Sequence, residues 1–287
     1  MNPRFDGQVA LVTGAGKGLG RAYALWLAER GAAVVVNNRT RAGAEPSARR
    51  VAGEIEAAGG AAMVSEHAVD DERAVADMVR DASAWRGRLD ILICNAAIVE
   101  YQPITAVTME CFRRVVDANF WGTVYPVYRC LPHMLGAGYG RIVLTSSQAG
   151  LYGQAESAAY CASKAAMIGL ARSIAIDVGS ADVRVNIVVP AAYTRMSESA
   201  IGAERAEALS PFKAAPVVAW LASRACDRSG LILHTAAGRV ARARIMENAS
   251  VQLEGEDLAA CWPALDATDS LFEADVARTA GYRLMRR

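Results

Sequence analysis

Short apolar runs recur along this chain, and between them apolar positions return every three or four residues. The runs Val9-Ala10-Leu11-Val12-Thr13, Ala33-Val34-Val35-Val36, Asp90-Ile91-Leu92-Ile93-Cys94, Arg141-Ile142-Val143-Leu144-Thr145 and Val183-Arg184-Val185-Asn186-Ile187-Val188-Val189 read as buried strands, with further ones at 61–64 and 231–234. The helical period predicts helices over 21–30, 47–58, 71–85, 109–116, 118–135 and 216–222, and one that starts near Tyr160 and ends at about residue 178. Seven strands alternating with helices predict an α/β fold, one doubly wound seven-stranded parallel sheet with helices on both faces. After Gly238 the pattern weakens: 240–245 reads as an extended edge segment and 256–265 as a short helix. No Pro- or Ser-rich linker, repeat or low-complexity block interrupts the chain. We therefore expect one domain over 1–238 and an extension over 239–287 that packs on its own or a neighbouring subunit.

The first strand runs straight into Gly14-Ala15-Gly16-Lys17-Gly18-Leu19-Gly20, and a helix follows that ends at Gly31 before the second strand. This is a βαβ unit with a glycine turn at its first corner. Glycines at 14, 18 and 20 let backbone N–H groups approach a pyrophosphate, and the helix N-terminus adds partial positive charge. In that setting the turn predicts dinucleotide binding.

A second feature lies in the Ala-rich run 158–170. Tyr160 and Lys164 stand one turn apart on one helical face. An ammonium beside a phenol favours the phenolate and draws the pKa down from its usual ~10. A tuned Tyr can then give or take a proton at a reacting oxygen, with Ser147 as a second hydrogen-bond donor to that oxygen. By itself the spacing also fits a solvated pair with its ring packed inward.

Composition narrows the classes. The chain has 287 residues, 53% hydrophobic and 21% charged, with a net charge of +1. A large core is available, and neither a basic block nor a nucleic-acid motif is present. No apolar run approaches the ~20 residues that span a bilayer, so a soluble, cytoplasmic protein is expected. The cysteines at 94, 111, 130, 161, 226 and 261 form no Cys-x-x-Cys pair, and His67, His133 and His234 lie far apart, so no metal site is expected.

Taken in order, these pieces resemble the short-chain dehydrogenase/reductase family over about residues 7–238. Thr13-Gly14-x-x-x-Gly18-x-Gly20 is similar to its cofactor motif, and Cys94-Asn95-Ala96-Ala97 to its Asn-Asn-Ala-Gly segment. Asn119, Ser147, Tyr160 and Lys164 match its catalytic residues in order and spacing, and Pro190 matches the Pro that follows its sixth strand. Residues 140–147, Leu151-Tyr152-Gly153, Thr194-Arg195-Met196, 215–221 and 238–241 resemble the branch containing the (3R)-hydroxyacyl-CoA dehydrogenase domains of peroxisomal multifunctional enzymes and their free-standing bacterial relatives. Departures stand at Cys94, Ala97, His67 and Ala191.

The resemblance implies a Rossmann-like fold and hydride transfer between a nicotinamide and a carbonyl or secondary alcohol. It implies Tyr160 as general acid/base, Ser147 as the group that holds the substrate oxygen, Lys164 as the residue that tunes Tyr160 and binds the ribose, and Asn119 as the holder of a relay water. Gly14, Lys17, Gly18, Leu19, Gly20, Asn38, Arg39, Asn95, Ala96, Tyr160, Lys164, Pro190 and Thr194 are the implied cofactor contacts. A non-catalytic dinucleotide sensor and a redox-neutral isomerase or dehydratase are the alternatives on the same fold. The short segment between Pro190 and Pro211, with Tyr193, Met196, Ile201 and Leu209, implies an open, partly apolar cleft for a bulky substrate such as an acyl thioester, steroid or polyketide ketone.

Two further expectations concern partners. The faces of 118–135 and 160–178, with Phe120, Trp121, Val124, Tyr125 and Val127 on the first, are apolar on more than one side, so a homodimer or homotetramer is expected. NADP(H) is favoured over NAD(H), because the second strand ends Val36-Asn37-Asn38 with no acid before Glu45, and Arg39, Arg41 and Lys17 stand close by.

Overall fold

The computed structural model describes residues 3–40, 46–198, 201–248, 250–253, 258–266 and 272–273. Its strands in chain order are β1 (Val9–Val12), β2 (Ala33–Asn37), β3 (Ala61–Ser65), β4 (Ile91–Cys94), β5 (Gly140–Thr145), β6 (Val183–Ala191), β7 (Ile232–Ala236) and β8 (Arg239–Ala243). They form one sheet in the order β3-β2-β1-β4-β5-β6-β7-β8, and β1 to β7 pair in parallel.

The helices on this sheet are α1 (Gly18–Glu29), α2 (Ser47–Ala57), α3 (Glu72–Arg86), α4 (Met109–Val116), α5 (Gly122–Gly136), α6 (Gln148–Tyr152), α7 (Ala158–Asp177) and α8 (Ala215–Leu221). Ala10, Val12, Val34, Val36, Ile91 and Ile93 pack with residues of α1, α2 and α8. The alternate residues Leu11, Val35 and Leu92 are equally buried and serve the other face, where α5 and α7 lie. Two-sided burial explains why the central strands carry almost no polar residue.

The expected sheet of seven strands has an eighth. Ala237 and Gly238, at φ 51° and 77°, link β7 to β8. A two-residue turn with positive φ returns the chain as a hairpin, so β8 covers the β7 edge. The expected helices 109–116 and 118–135 form one continuous rod, joined by a π-helical turn over Asp117–Trp121. β6 runs through Pro190 to Ala191 instead of stopping before it. The Val188 carbonyl accepts from Ser146 on β5's side, so Pro190, two residues on, turns its ring nitrogen past the end of β5, where no ladder bond is owed.

The chain divides into two compact units, Met1–Ala241 and Arg242–Arg287. In the second, β9 (Met246–Glu247) pairs antiparallel with β10 (Phe272–Glu273), and α9 (Leu258–Leu265) lies between them in sequence. Glu256 and Arg41 lie outside the described residues. No helix among the described residues is long and apolar enough to cross a membrane.

Candidate active site

Strand order reverses at β1 and β4, which places a crevice beyond their carboxyl ends. The glycine turn fills one side of it. Gly20 packs so tightly under the turn that a Cβ there would lie 2.2 Å from the Gly14 carbonyl oxygen. Gly18 opens α1 at φ 52°, with the Thr194 methyl 3.2 Å from where its Cβ would stand. Lys17 occupies the N-cap and makes no side-chain cap, so the first amides of α1, including those of Leu19 and Gly20, lack an intrahelical acceptor. Such amides suit an anionic pyrophosphate.

Asn95 locks this turn to β4. Its Nδ2 donates to the carbonyls of Thr13 and Gly14 at 3.1 and 3.2 Å, while Asn95 N and Ala96 N donate to Thr13 Oγ1 at 3.0 and 3.2 Å. On the far side, Thr194 N donates to Ser197 Oγ at 2.9 Å, which holds the loop after β6 against Gly18. Pro190 is level with Thr235 of β7.

At the end of β2, Asn38 donates through Nδ2 to Ser47 Oγ at 2.9 Å. Arg39 pairs with Asp70 at 3.3 Å, the carboxylate that the end of the β3–α3 loop brings to it. Lys17 is exposed. Arg50 of α2, which sequence reasoning passed over, donates to the Gly16 carbonyl at 3.3 Å.

Ser147, Tyr160 and Lys164 come together past the end of β5. Ser147 is the N-cap of α6 and accepts from Ala149 N at 3.2 Å, which fixes its hydroxyl. That hydroxyl stands near enough to the Tyr160 phenol to favour its ionised form. Lys164 is 2% exposed, donates from Nζ to the Thr145 carbonyl at 2.9 Å, and stands 5.8 Å from the Tyr160 ring centre. Ser146 Oγ donates to the Lys164 carbonyl at 2.6 Å and ties the base of α7 to β5.

Electrostatically the pair departs from the sequence expectation. Burial raises the Tyr160 phenol above its ordinary value, and the Ser147 hydroxyl opposes the rise. Burial also lowers Lys164 to about 8, against a smaller opposing effect of Cys94. Desolvation is the largest cause for both groups, because both sit where water is scarce.

Asn119 is fully buried in the π-helical turn. Its Oδ1 accepts from Ile98 N at 2.8 Å, and its Nδ2 donates to the Ile98 carbonyl at 2.9 Å and to Ser163 Oγ at 3.0 Å. The side chain is thus committed to protein groups and clamps the loop after β4 to α7. The loop's other end is tied by Gln102 N, which donates to the Glu156 carbonyl at 2.6 Å.

Comparison with known proteins gives the family. A family model described as short chain dehydrogenase matches residues 8–205. Peroxisomal multifunctional enzyme type 2 of Drosophila melanogaster is 39% identical over 240 residues, which cover 82% of this chain and 40% of that protein. The chain therefore spans well under half of that relative's length. Versicolorin reductase 1 of Aspergillus parasiticus is 41% identical over 192 residues, 67% of this chain and 71% of the relative. Among solved structures, a short chain dehydrogenase from Mycobacterium avium is similar with a TM-score of 0.81 and 33% identity, covering 91% of this chain and 95% of that one. This chain belongs to the short-chain dehydrogenase/reductase family and is an oxidoreductase.

Proposed function

We propose that this protein interconverts a ketone and a secondary alcohol on a bulky, largely apolar substrate, with NADP(H) preferred to NAD(H). The observation that carries the reading is the Ser147–Tyr160 hydroxyl pair, with buried Lys164 one turn on, facing the same crevice as the glycine turn. The nicotinamide supplies or accepts the hydride. Tyr160 gives the proton to the substrate oxygen in reduction and takes it back in oxidation. Ser147, fixed by its cap bond, hydrogen-bonds that oxygen beside the phenol. Lys164 holds the nicotinamide ribose and keeps a positive charge beside the phenol. Asn119 is a positioning residue, since its amide holds the Ile98 backbone over α7.

The cofactor preference rests on the end of β2, where Asn38 supplies an amide in place of the acid that would repel a 2′-phosphate. Similarity to proteins named for multifunctional peroxisomal chemistry and for reduction of versicolorin supports a bulky substrate, an acyl thioester, steroid or polyketide ketone. Exposed Met196, in the loop after β6, fits an apolar ligand. The test is a panel of ketones and alcohols run with both cofactors. Cofactor oxidation with bulky cyclic or acyl ketones supports the reading. Cofactor binding without turnover on any of them would favour a sensor, and turnover without net cofactor change an isomerase.

A further inference from the structure

We infer that Tyr101 binds the substrate through its hydroxyl, which holds a second oxygen beside the reacting one, so that this chain selects ketones with a further carbonyl in the β position. The inference rests on the ketone reading above and names the polar end of that substrate. Tyr101 lies in the loop after β4, and three residues around it are each fixed by a bond of their own. Ile98 is held by the Asn119 amide at 2.8 and 2.9 Å. Glu100 pairs with Arg114 of α4 at 3.0 Å. Gln102 N donates to the Glu156 carbonyl at 2.6 Å, and Gln102 forms a parallel bridge with Ser157, the N-cap of α7. Glu156 stands at φ 58°, a left-handed conformation that costs a residue with a Cβ free energy and that its surroundings must enforce.

These ties bring Tyr101 to Tyr160. Gln102 is level with Ser157, and Tyr160 follows Ser157 by almost one helical turn. The two phenols are close enough that a charge on Tyr101 would oppose ionisation of Tyr160. They do not hydrogen-bond one another. Tyr101 is 42% exposed, and its hydroxyl has no hydrogen-bond partner among the described residues. Ser147 and Tyr160 are both taken by the reacting oxygen, so the third hydroxyl is left to donate to a neighbouring one. The carbonyls of a β-keto compound are separated by a single carbon and can present two oxygens on one side. A hydroxyl that loses such a partner discriminates against the analogue that lacks it. Because Tyr101 is partly open to water, the unpaired hydroxyl is rehydrated, and the discrimination is about tenfold, the scale of one hydrogen bond.

The experiment measures kcat and KM of wild type and Tyr101→Phe with matched pairs of bulky ketones from the panel above. Each pair is a β-ketoester and the same ketone with an alkyl chain in place of the ester. Tyr101→Phe should raise KM for the β-ketoesters about tenfold with kcat within about twofold, since the bond is made equally in ground and transition states. Both constants for the alkyl ketones should stay within about twofold, which also shows that the variant is folded. An equal loss on both members of each pair makes Tyr101 a wall of the cleft and overturns the inference, as does no loss on either. Wild-type turnover of the alkyl ketones but not of the β-ketoesters overturns it too, while the ketone reading stands. Cofactor binding with no turnover of any pair by wild type overturns the ketone reading itself, and the inference with it.

Discussion

At the scale of single residues, desolvation governs the site. Lys164 is held near pKa 8 by burial, against an ordinary value of 10.5. Between these values the unfolded chain binds more protons than the folded one, so stability rises with pH across the window and is lost again as pH falls through about 8. Replacing Lys164 by Met should remove this slope, on the order of 3 kcal/mol between pH 8 and 10.5, as read from urea midpoints of both proteins at several pH values. Parallel curves for the two proteins would show that Lys164 is not desolvated as its burial indicates. Gly20 is governed by space instead. Gly20→Ala places a methyl 2.2 Å from the Gly14 carbonyl. Overpacking against backbone should cost about 1–3 kcal/mol, more than the helix propensity of Ala returns, and should weaken cofactor binding. A variant with unchanged urea midpoint and cofactor affinity would contradict the close packing of the turn.

At the scale of elements, the π-helical turn between α4 and α5 is the joint of the site. It buries Asn119, whose amide satisfies both backbone groups of Ile98 and also reaches Ser163. Asn119→Ala leaves those partners unpaired in the interior, a cost of about 1–3 kcal/mol for each buried group. The expected result is a marked loss of stability in urea, with KM for substrate raised as the loop from Ile98 to Gln102 loosens. Full stability with kcat alone reduced would instead make Asn119 a direct participant in proton transfer. The same rod carries an aromatic ladder on its outer side: Phe120 meets Trp121 edge-on at 5.2 Å, and Trp121 stacks on Tyr125 at 5.5 Å. Trp121 is 40% and Tyr128 64% exposed, whereas Val127 on the other side of the rod is buried in the chain's own core. We propose that the ladder is the contact between subunits of a homodimer or homotetramer. Trp121→Glu should shift the protein toward monomer at micromolar concentration by light scattering, and an unchanged mass would place the interface elsewhere.

At the scale of the whole molecule, the sheet was the most legible part. Strands buried on both faces read as unbroken apolar runs, and their ends fall within a residue or two of the pattern, β6 and β7 each running two residues past it. Elements set by local geometry were not legible. α6 is a five-residue turn whose only sequence mark is its capping Ser147. A π-helical turn shares the composition of the α-helices beside it, so periodicity reads 109–116 and 118–135 as ordinary helices. Candidate site residues were found by spacing, and the chain does bring Ser147, Tyr160 and Lys164 together. Spacing could not say how deeply they are buried, and so gave the wrong sign for the Tyr160 shift. Nor could it choose among arginines: Arg39 and Arg50 are both surface cations near β2, and only the fold shows which one bonds the glycine turn.

The most direct measurement is turnover and cofactor affinity of Tyr160→Phe beside wild type, with one ketone that the panel identifies. The substitution removes the phenolic proton and keeps the ring, so cofactor binding and urea midpoint should stay within error. kcat should fall by about 10²-fold or more, the usual contribution of a positioned general acid. Near-normal kcat with intact cofactor binding would contradict proton transfer through Tyr160, and with it the chemistry assigned to this site.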